Sequence, residues 1–415
     1  MVRIAPIASL AVAALLGTTL LGSTPARAVG PVDGPPLPAA CIEGVKAEAR
    51  AKGVPDAVLE RAFRGLLTDA SVVGFLQNQP EFRTPAWDYV AALVDDEKIA
   101  DGKRLLKEHA ALLSRLEAKY GVEATTIVAV WGIESDYGKT VGLRHIVRSL
   151  ATLACTAPRR RDYFRTELIA ALKVAATNEI PYEALYGSWA GAFGGPQLMP
   201  TVFFRVAVDG YNDGKRDVAR SVPDVLASIA NFVRLNGWRA GLPWGVEVEL
   251  PDSISEGQTG RLTRKPVSAW AAAGVRRVDG RALAGGGLPA AAPSAIILPA
   301  GRRGPAFLVT RNFEAFYRYN PTIVYAMSIG HLADRLRGGG PILTPWPTSE
   351  RPLDRAGRRE LQTLLMRAGF DIGGVADGVI GRQTVAAIRT VQHKNGLPVT
   401  GRATADVLEA LRRGR

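Results

Sequence analysis

Glu134 stands at the end of an apolar run, Thr126-Ile-Val-Ala-Val130, within the octet Trp131-Gly-Ile-Glu-Ser-Asp-Tyr-Gly138. A carboxylate is costly to bury unless it is paired or protonated. An apolar pocket raises its pKa, and an acid kept neutral near pH 7 has a proton to donate. Donating that proton to a bridging oxygen is what breaking a glycosidic bond requires. The alternative is a helix-end carboxylate that reaches solvent. Asp136 is a poor second acid, because two residues further along a helix it points elsewhere. A capping or surface role is expected for it, and a lone acid cannot run the two-carboxylate glycosidase scheme.

A second group of carboxylates lies in Asp209-Gly-Tyr-Asn-Asp-Gly-Lys-Arg-Asp217, followed by Asp224. Acids at 209, 213 and 217 around Gly214 resemble a calcium loop, but no Glu stands at the twelfth position and Lys215 and Arg216 oppose a cation. A capped, salt-bridged loop is the rival. His109, His145, His331 and His393 have no metal-ligand spacing, and neither H-E-x-x-H nor C-x-x-C occurs. Zinc hydrolysis and thiol chemistry are therefore poorly supported. Cys41 and Cys155 are the two cysteines. In an oxidising compartment they suit one disulfide, with two buried thiols as the alternative.

Arg3, the apolar run Ile7 to Leu21 and Ala26-Arg27-Ala28 read as a signal peptide over residues 1–28. Export to the periplasm is expected, with no transmembrane span after cleavage. The net charge of +13 falls to +11 once Arg3 and Arg27 are removed. A basic exported chain favours a polyanionic wall polymer over nucleic acid. Residues 29–38 read as a loose leader. From about 39 to 240 the pattern is mostly helical, with one amphipathic helix over Gly102–Glu117 and another over Val222–Leu235. Strand-like runs follow at Val246–Leu250, Ala295–Leu298 and Ala306–Thr310. A helix starts at Asn320-Pro321 and runs towards Leu336. Residues 341–352 are linker-like, and 353–415 form a small helical domain with 11 basic and 6 acidic side chains. In that domain Asp377-Gly378-x-x-Gly381 and Thr400-Gly401-x-x-Thr404 echo each other as tight turns before helix starts.

Taken in order, the motifs resemble one family. They are Gln79-Pro-Glu-Phe82, Tyr120-Gly-Val122, the Glu134 octet, Leu150-Ala-Thr-Leu153, Pro158-Arg-Arg160, Tyr163-Phe164, Gly187-Ser-Trp-Ala-Gly-Ala192 and Pro196-Gln-Leu-Met-Pro200. Ser228-Ile-Ala-Asn231, Gly237-Trp238, Tyr319-Asn320 and Tyr325 complete the series. It resembles the lytic murein transglycosylases of the B type, soluble or membrane-bound, with a C-terminal peptidoglycan-binding domain. The tail departs from that domain's pattern at Thr400, where Asp is usual.

The resemblance implies a mainly α fold: a lysozyme-like α+β catalytic core over residues 29–340 with an added helical part and a small β segment, then the helical tail. It implies Glu134 as the catalytic residue. It implies Tyr89, Arg159, Arg160, Ser188, Gln197, Tyr319, Asn320 and Tyr325 as substrate-lining residues, with Phe232 at a position where Tyr is expected. It implies cleavage of peptidoglycan glycan strands to 1,6-anhydro ends without water, by one Glu acting as acid and then base. No cofactor is required. A structural calcium is the one candidate, with ligands matching Asp209, Asp213, Asp224 and the carbonyl of Lys215. A monomer is expected. The rivals are a hydrolytic muramidase and a non-catalytic wall-binding scaffold.

Overall fold

A computed structural model describes residues 31–77 and 84–414. The signal segment and the Gln79-Pro-Glu-Phe82 motif lie outside the described residues. With 50% helix and 9% strand the chain is mainly α. It folds into two compact units and crosses between them more than once. One unit comprises Thr84–Ile133 and Ile229–Ser349, and the other comprises Glu134–Ser228 with residues 31–77 and 350–414.

In the first unit the apolar stripe over residues 102–117 is carried by two helices, Asp96–Glu108 and Ala110–Tyr120. The single helix expected there breaks at His109, whose φ of −105° and ψ of 21° leave helical geometry. The stripe continues across the break, so periodicity does not mark it. Asp95 caps the first of these helices by accepting the Lys98 N–H at 2.8 Å. The strand-like runs form a five-stranded antiparallel sheet in the order Lys265–Pro266, Pro293–Ile297, Ala306–Val309, Gly245–Glu249, Arg276–Arg277. Val248, Trp270, Ile296 and Leu308 fill its core. Despite its linker-like composition, the segment after Gly340 is pinned. The Leu343 and Thr344 N–H groups donate to the Glu247 carboxylate at 2.9 and 2.7 Å, and Trp346 packs on Trp87.

In the second unit the helices Ile146–Thr156 and Arg161–Thr177 pack side by side through Leu150, Leu153, Phe164 and Leu168. Residues 33–36 are not a loose leader. They pair antiparallel with Leu67–Asp69, an arrangement that tolerates Pro35 and Pro36 because a two-stranded edge leaves their missing N–H groups unmissed. A disulfide joins Cys41, on the helix Ala39–Ala51, to Cys155.

The tail consists of the helices Arg355–Arg367, Arg382–Lys394 and Ala405–Arg413 around Leu361, Leu365, Ile388 and Leu408. Its sequence echo has a physical cause. Gln362 accepts the Gly378 N–H at 2.6 Å and donates to Asp377 at 3.1 Å. Gln392 accepts the Gly401 N–H at 2.7 Å and donates to the Thr400 hydroxyl at 3.0 Å. A buried glutamine thus holds each turn, and the hydroxyl of Thr400 takes the place of a carboxylate.

The disulfide closes a separation of 114 residues. Removing it with Cys41→Ser and Cys155→Ser should cost about 4–5 kcal/mol by the chain-entropy relation, read from urea unfolding. A loss under about 1 kcal/mol would mean that the unfolded chain is already restricted in this region.

Candidate active site

The helix Ala124–Ser135 carries Glu134 in its last turn. Ile127, Val128, Ala129 and Val130 are fully buried, and Trp131 and Ile133 nearly so. Glu134 itself is 5% exposed. Burial pushes its carboxyl well above its ordinary value of 4.5, because an ionised oxygen there would lose its water. The helix stops one residue later: Asp136, Tyr137 and Gly138 have φ of 50°, 62° and 86°. Consecutive left-handed residues cannot continue a right-handed helix, and such backbone is held only where its surroundings over-determine it. The buried Lys98 ammonium donates to the Gly132 carbonyl at 2.8 Å, placing a cation where the helix dipole is negative.

Ser135 ties the helix end to the next motif. Its hydroxyl donates to the Gly195 carbonyl at 2.6 Å and accepts the Gly138 N–H at 3.1 Å. Beyond the turn, Arg144–His145 pairs with Tyr186–Gly187. The strands approach so closely that a Cβ on Gly142, at φ 104°, would lie 2.0 Å from the Gly187 oxygen. Ser188 and Gln197 are both buried. The Ser188 hydroxyl accepts the Ala192 N–H at 3.0 Å. Gln197, left-handed at φ 48°, donates its amide to the Val141 and Gly194 carbonyls, each at 2.9 Å. The Glu167 carboxylate anchors the far end of the loop by accepting the Thr201 N–H and hydroxyl at 2.9 and 2.7 Å. Sequence reasoning missed Lys98, Ser135 and Glu167. The one signal for Glu167 is an acid among the apolar residues 168–172.

Arg159 and Arg160 are exposed at the junction of two helices in the same unit. Arg159 donates to the Leu76 carbonyl at 3.0 Å, while Arg160, left-handed at φ 63°, lies 4.4 Å over the Tyr163 ring. The first unit holds Tyr89, Phe232, Tyr319, Asn320 and Tyr325. Tyr89 and Tyr325 sit on helices that pack together, Ala86–Leu93 and Ile323–Leu336. The rings of Phe232 and Tyr319 are 4.2 Å apart between centroids. All five side chains are largely covered. Glu134 is the residue at which the chain passes from the first unit into the second.

The calcium ligand set is not assembled. Among the described residues no three His, Cys, Asp or Glu side chains are placed to hold a metal ion. The carboxylates of the set instead satisfy backbone donors. Asp209 accepts the N–H groups of Asn212 and Gly214, Asp213 accepts that of Lys215, and Asp224 accepts those of Gly210 and Asp217. Arg216 is turned away onto Glu179 at 2.5 Å. Asp209, Asp213, Lys215 and Asp224 thus form a self-capped turn.

The profile of the transglycosylase SLT domain family matches residues 38–334. The chain belongs to that family. It is a lytic transglycosylase with a lysozyme-like core, and residues 354–411 match a peptidoglycan-binding domain. It is 29% identical to membrane-bound lytic murein transglycosylase B of Escherichia coli (strain K12), over 63% of this chain and 73% of the relative. SltB3 from Pseudomonas aeruginosa in complex with NAG-anhNAM-pentapeptide is 41% identical, covers 89% of this chain and 98% of its own, and superposes with a TM-score of 0.72. Escherichia coli lytic transglycosylase Slt35 in complex with calcium is 25% identical over 72% of this chain and 92% of its own, with a TM-score of 0.61.

A buried neutral acid leaves a mark on stability. Below the ordinary carboxylate range both folded and unfolded chains hold the Glu134 proton. As the pH rises past that range the unfolded chain releases it and the folded chain does not, so stability falls until the folded group ionises too. Glu134→Gln removes this loss. The variant should melt above the wild type at pH 7 and lose that advantage at pH 4. An advantage equal at both pH values would mean that Glu134 ionises normally.

Proposed function

We propose that this lytic transglycosylase cleaves the bond from N-acetylmuramic acid to N-acetylglucosamine in peptidoglycan with Glu134 as its sole acid and base. The observation that carries the reading is the burial of Glu134 at the end of an apolar helix, which favours its protonated form. Glu134 donates its proton to the bridging oxygen, and the bond to the muramyl C1 breaks as positive charge develops at that carbon. The sugar's own acetamido group stabilises that charge. Glu134, now ionised, takes the proton of the muramyl C6 hydroxyl, whose oxygen closes on C1. The product is a 1,6-anhydro end and no water is consumed. Asp136 takes no part.

Ser188 and Asn320 are assigned to hydrogen bonds with the acetamido group or with Glu134, and Tyr89, Phe232, Tyr319 and Tyr325 to sugar faces. Arg159, Arg160 and Gln197 are assigned to the strand. Phe232 keeps a stacking face without a hydroxyl. Residues 29–340 serve as the catalytic domain, 341–352 as the linker and 353–415 as the wall-binding domain. The last raises the effective concentration of glycan at the catalytic domain. The signal-like residues 1–28 support export to the periplasm. Among the described residues no helix is long and apolar enough to cross a membrane. The working form is a monomer.

Mass spectrometry of sacculi digested by the wild type should find anhydro-muramyl ends. Glu134→Gln should lower the rate by about 10²–10⁴-fold with wall binding kept. Reducing ends in place of anhydro ends would make the enzyme a hydrolytic muramidase, and unchanged digestion would remove Glu134 from the chemistry.

The turn from Asp209 to Asp224 needs no metal in this reading, because its carboxylates are already engaged by backbone donors. Neither calcium nor a chelator should move the melting temperature. A calcium-dependent rise would mean that the turn reorganises around the ion.

A further inference from the structure

Asp136 follows the catalytic acid by two residues and has no place in the proton transfers, yet it is built into the structure. It opens the left-handed run that ends the Glu134 helix. Its Oδ2 accepts from Nη1 of Arg355 at 3.1 Å, across 219 residues of sequence. Both side chains are mostly covered, at 13% and 16% exposure. An exposed pair of this kind contributes little, but removing one partner of a covered pair strands the other charge.

Arg355 is the first residue of the tail helix Arg355–Arg367. Its stem lies against Gly378, where an added Cβ would meet Arg355 Cγ at 2.8 Å. Gly378 belongs to the turn held by Gln362. The Arg355 stem therefore lies against the tail's own frame, and its guanidinium is bonded to the turn after Glu134. Asp is also among the residues that tolerate the left-handed backbone this position requires.

We propose that the Asp136–Arg355 ion pair is a specificity device. It holds the wall-binding tail in one orientation against the turn that follows the catalytic helix, so that a strand gripped by the tail is delivered to Glu134 in a fixed register. Asp136 and Arg355 are positioning residues, and a polymeric wall gains from them where a short fragment does not. The proposal rests on Glu134 as the catalytic acid and on the tail as a wall-binding domain.

The test uses the full chain with Asp136→Asn, Arg355→Gln, the double variant and Arg355→Lys. Rates are measured on intact sacculi and on a soluble tetrasaccharide–peptide fragment. Each single neutral variant should lose about five- to tenfold in kcat/KM on sacculi and less than about twofold on the fragment. The double variant should be no worse than either single one, because both remove the same contact. Arg355→Lys, which keeps the charge, should recover most of the loss. Melting curves on the same samples confirm folding, and Asn at 136 preserves the backbone preference. An equal loss on both substrates, additive losses, a gain on sacculi or no change would each overturn the proposal. A failure of the catalytic assignment is separate, since it appears as activity retained by Glu134→Gln.

Discussion

Everything around Glu134 depends on stopping an apolar helix immediately after a carboxylate. A helix from Ala124 that continued past Ser135 would bury Glu134 mid-span, and no neighbouring loop could reach its end. Three left-handed residues in succession prevent that. Their backbone cost, of order 1–3 kcal/mol each for the two that are not glycine, has to be met by contacts. Ser135 supplies two of these contacts. The acid is buried enough for its charged form to be disfavoured, and it lies in the last turn of a regular element rather than in its middle.

The loop that meets this helix end is held for a different reason. Its glycines permit backbone approaches that any side chain would block, as at Gly142 and Gly187. Its polar side chains serve the backbone first: Ser188 and Gln197 both bond within the loop or to the strand beside it. Glu167 then fixes the start of the following helix. Hydrogen bonds from the interior of the unit, more than any single contact, keep the Ser188–Gln197 segment in place.

The apolar run before Glu134 was legible in the sequence because burial, helix length and the position of the acid all point the same way. So were the strands at 246–250, 295–298 and 306–310, whose alternation or apolar character is local. The break at His109 was not, because no glycine or proline marks it and the apolar stripe runs straight through. Residues 33–36 read as a leader because two prolines suggest one, while the partner strand that makes them regular lies some thirty residues away. Lys98 carries no signal of its own in the sequence, and its target is the carbonyl of a residue 34 positions on. The acids at 209, 213 and 224 were visible, but residue type alone does not tell a carboxylate aimed at a cation from one aimed at an amide. For residues 33–36 and Lys98 what stayed hidden was a partner distant in sequence.

The disulfide carries one more consequence. Cys41 and Cys155 belong to one compact unit, yet the chain between them leaves that unit, builds residues 84–133 of the other and returns carrying Glu134. The whole excursion is a covalent loop closed at its base. A protease that nicks any single peptide bond between the two cysteines severs the chain without releasing a fragment, and Glu134 stays tied to both halves of the molecule.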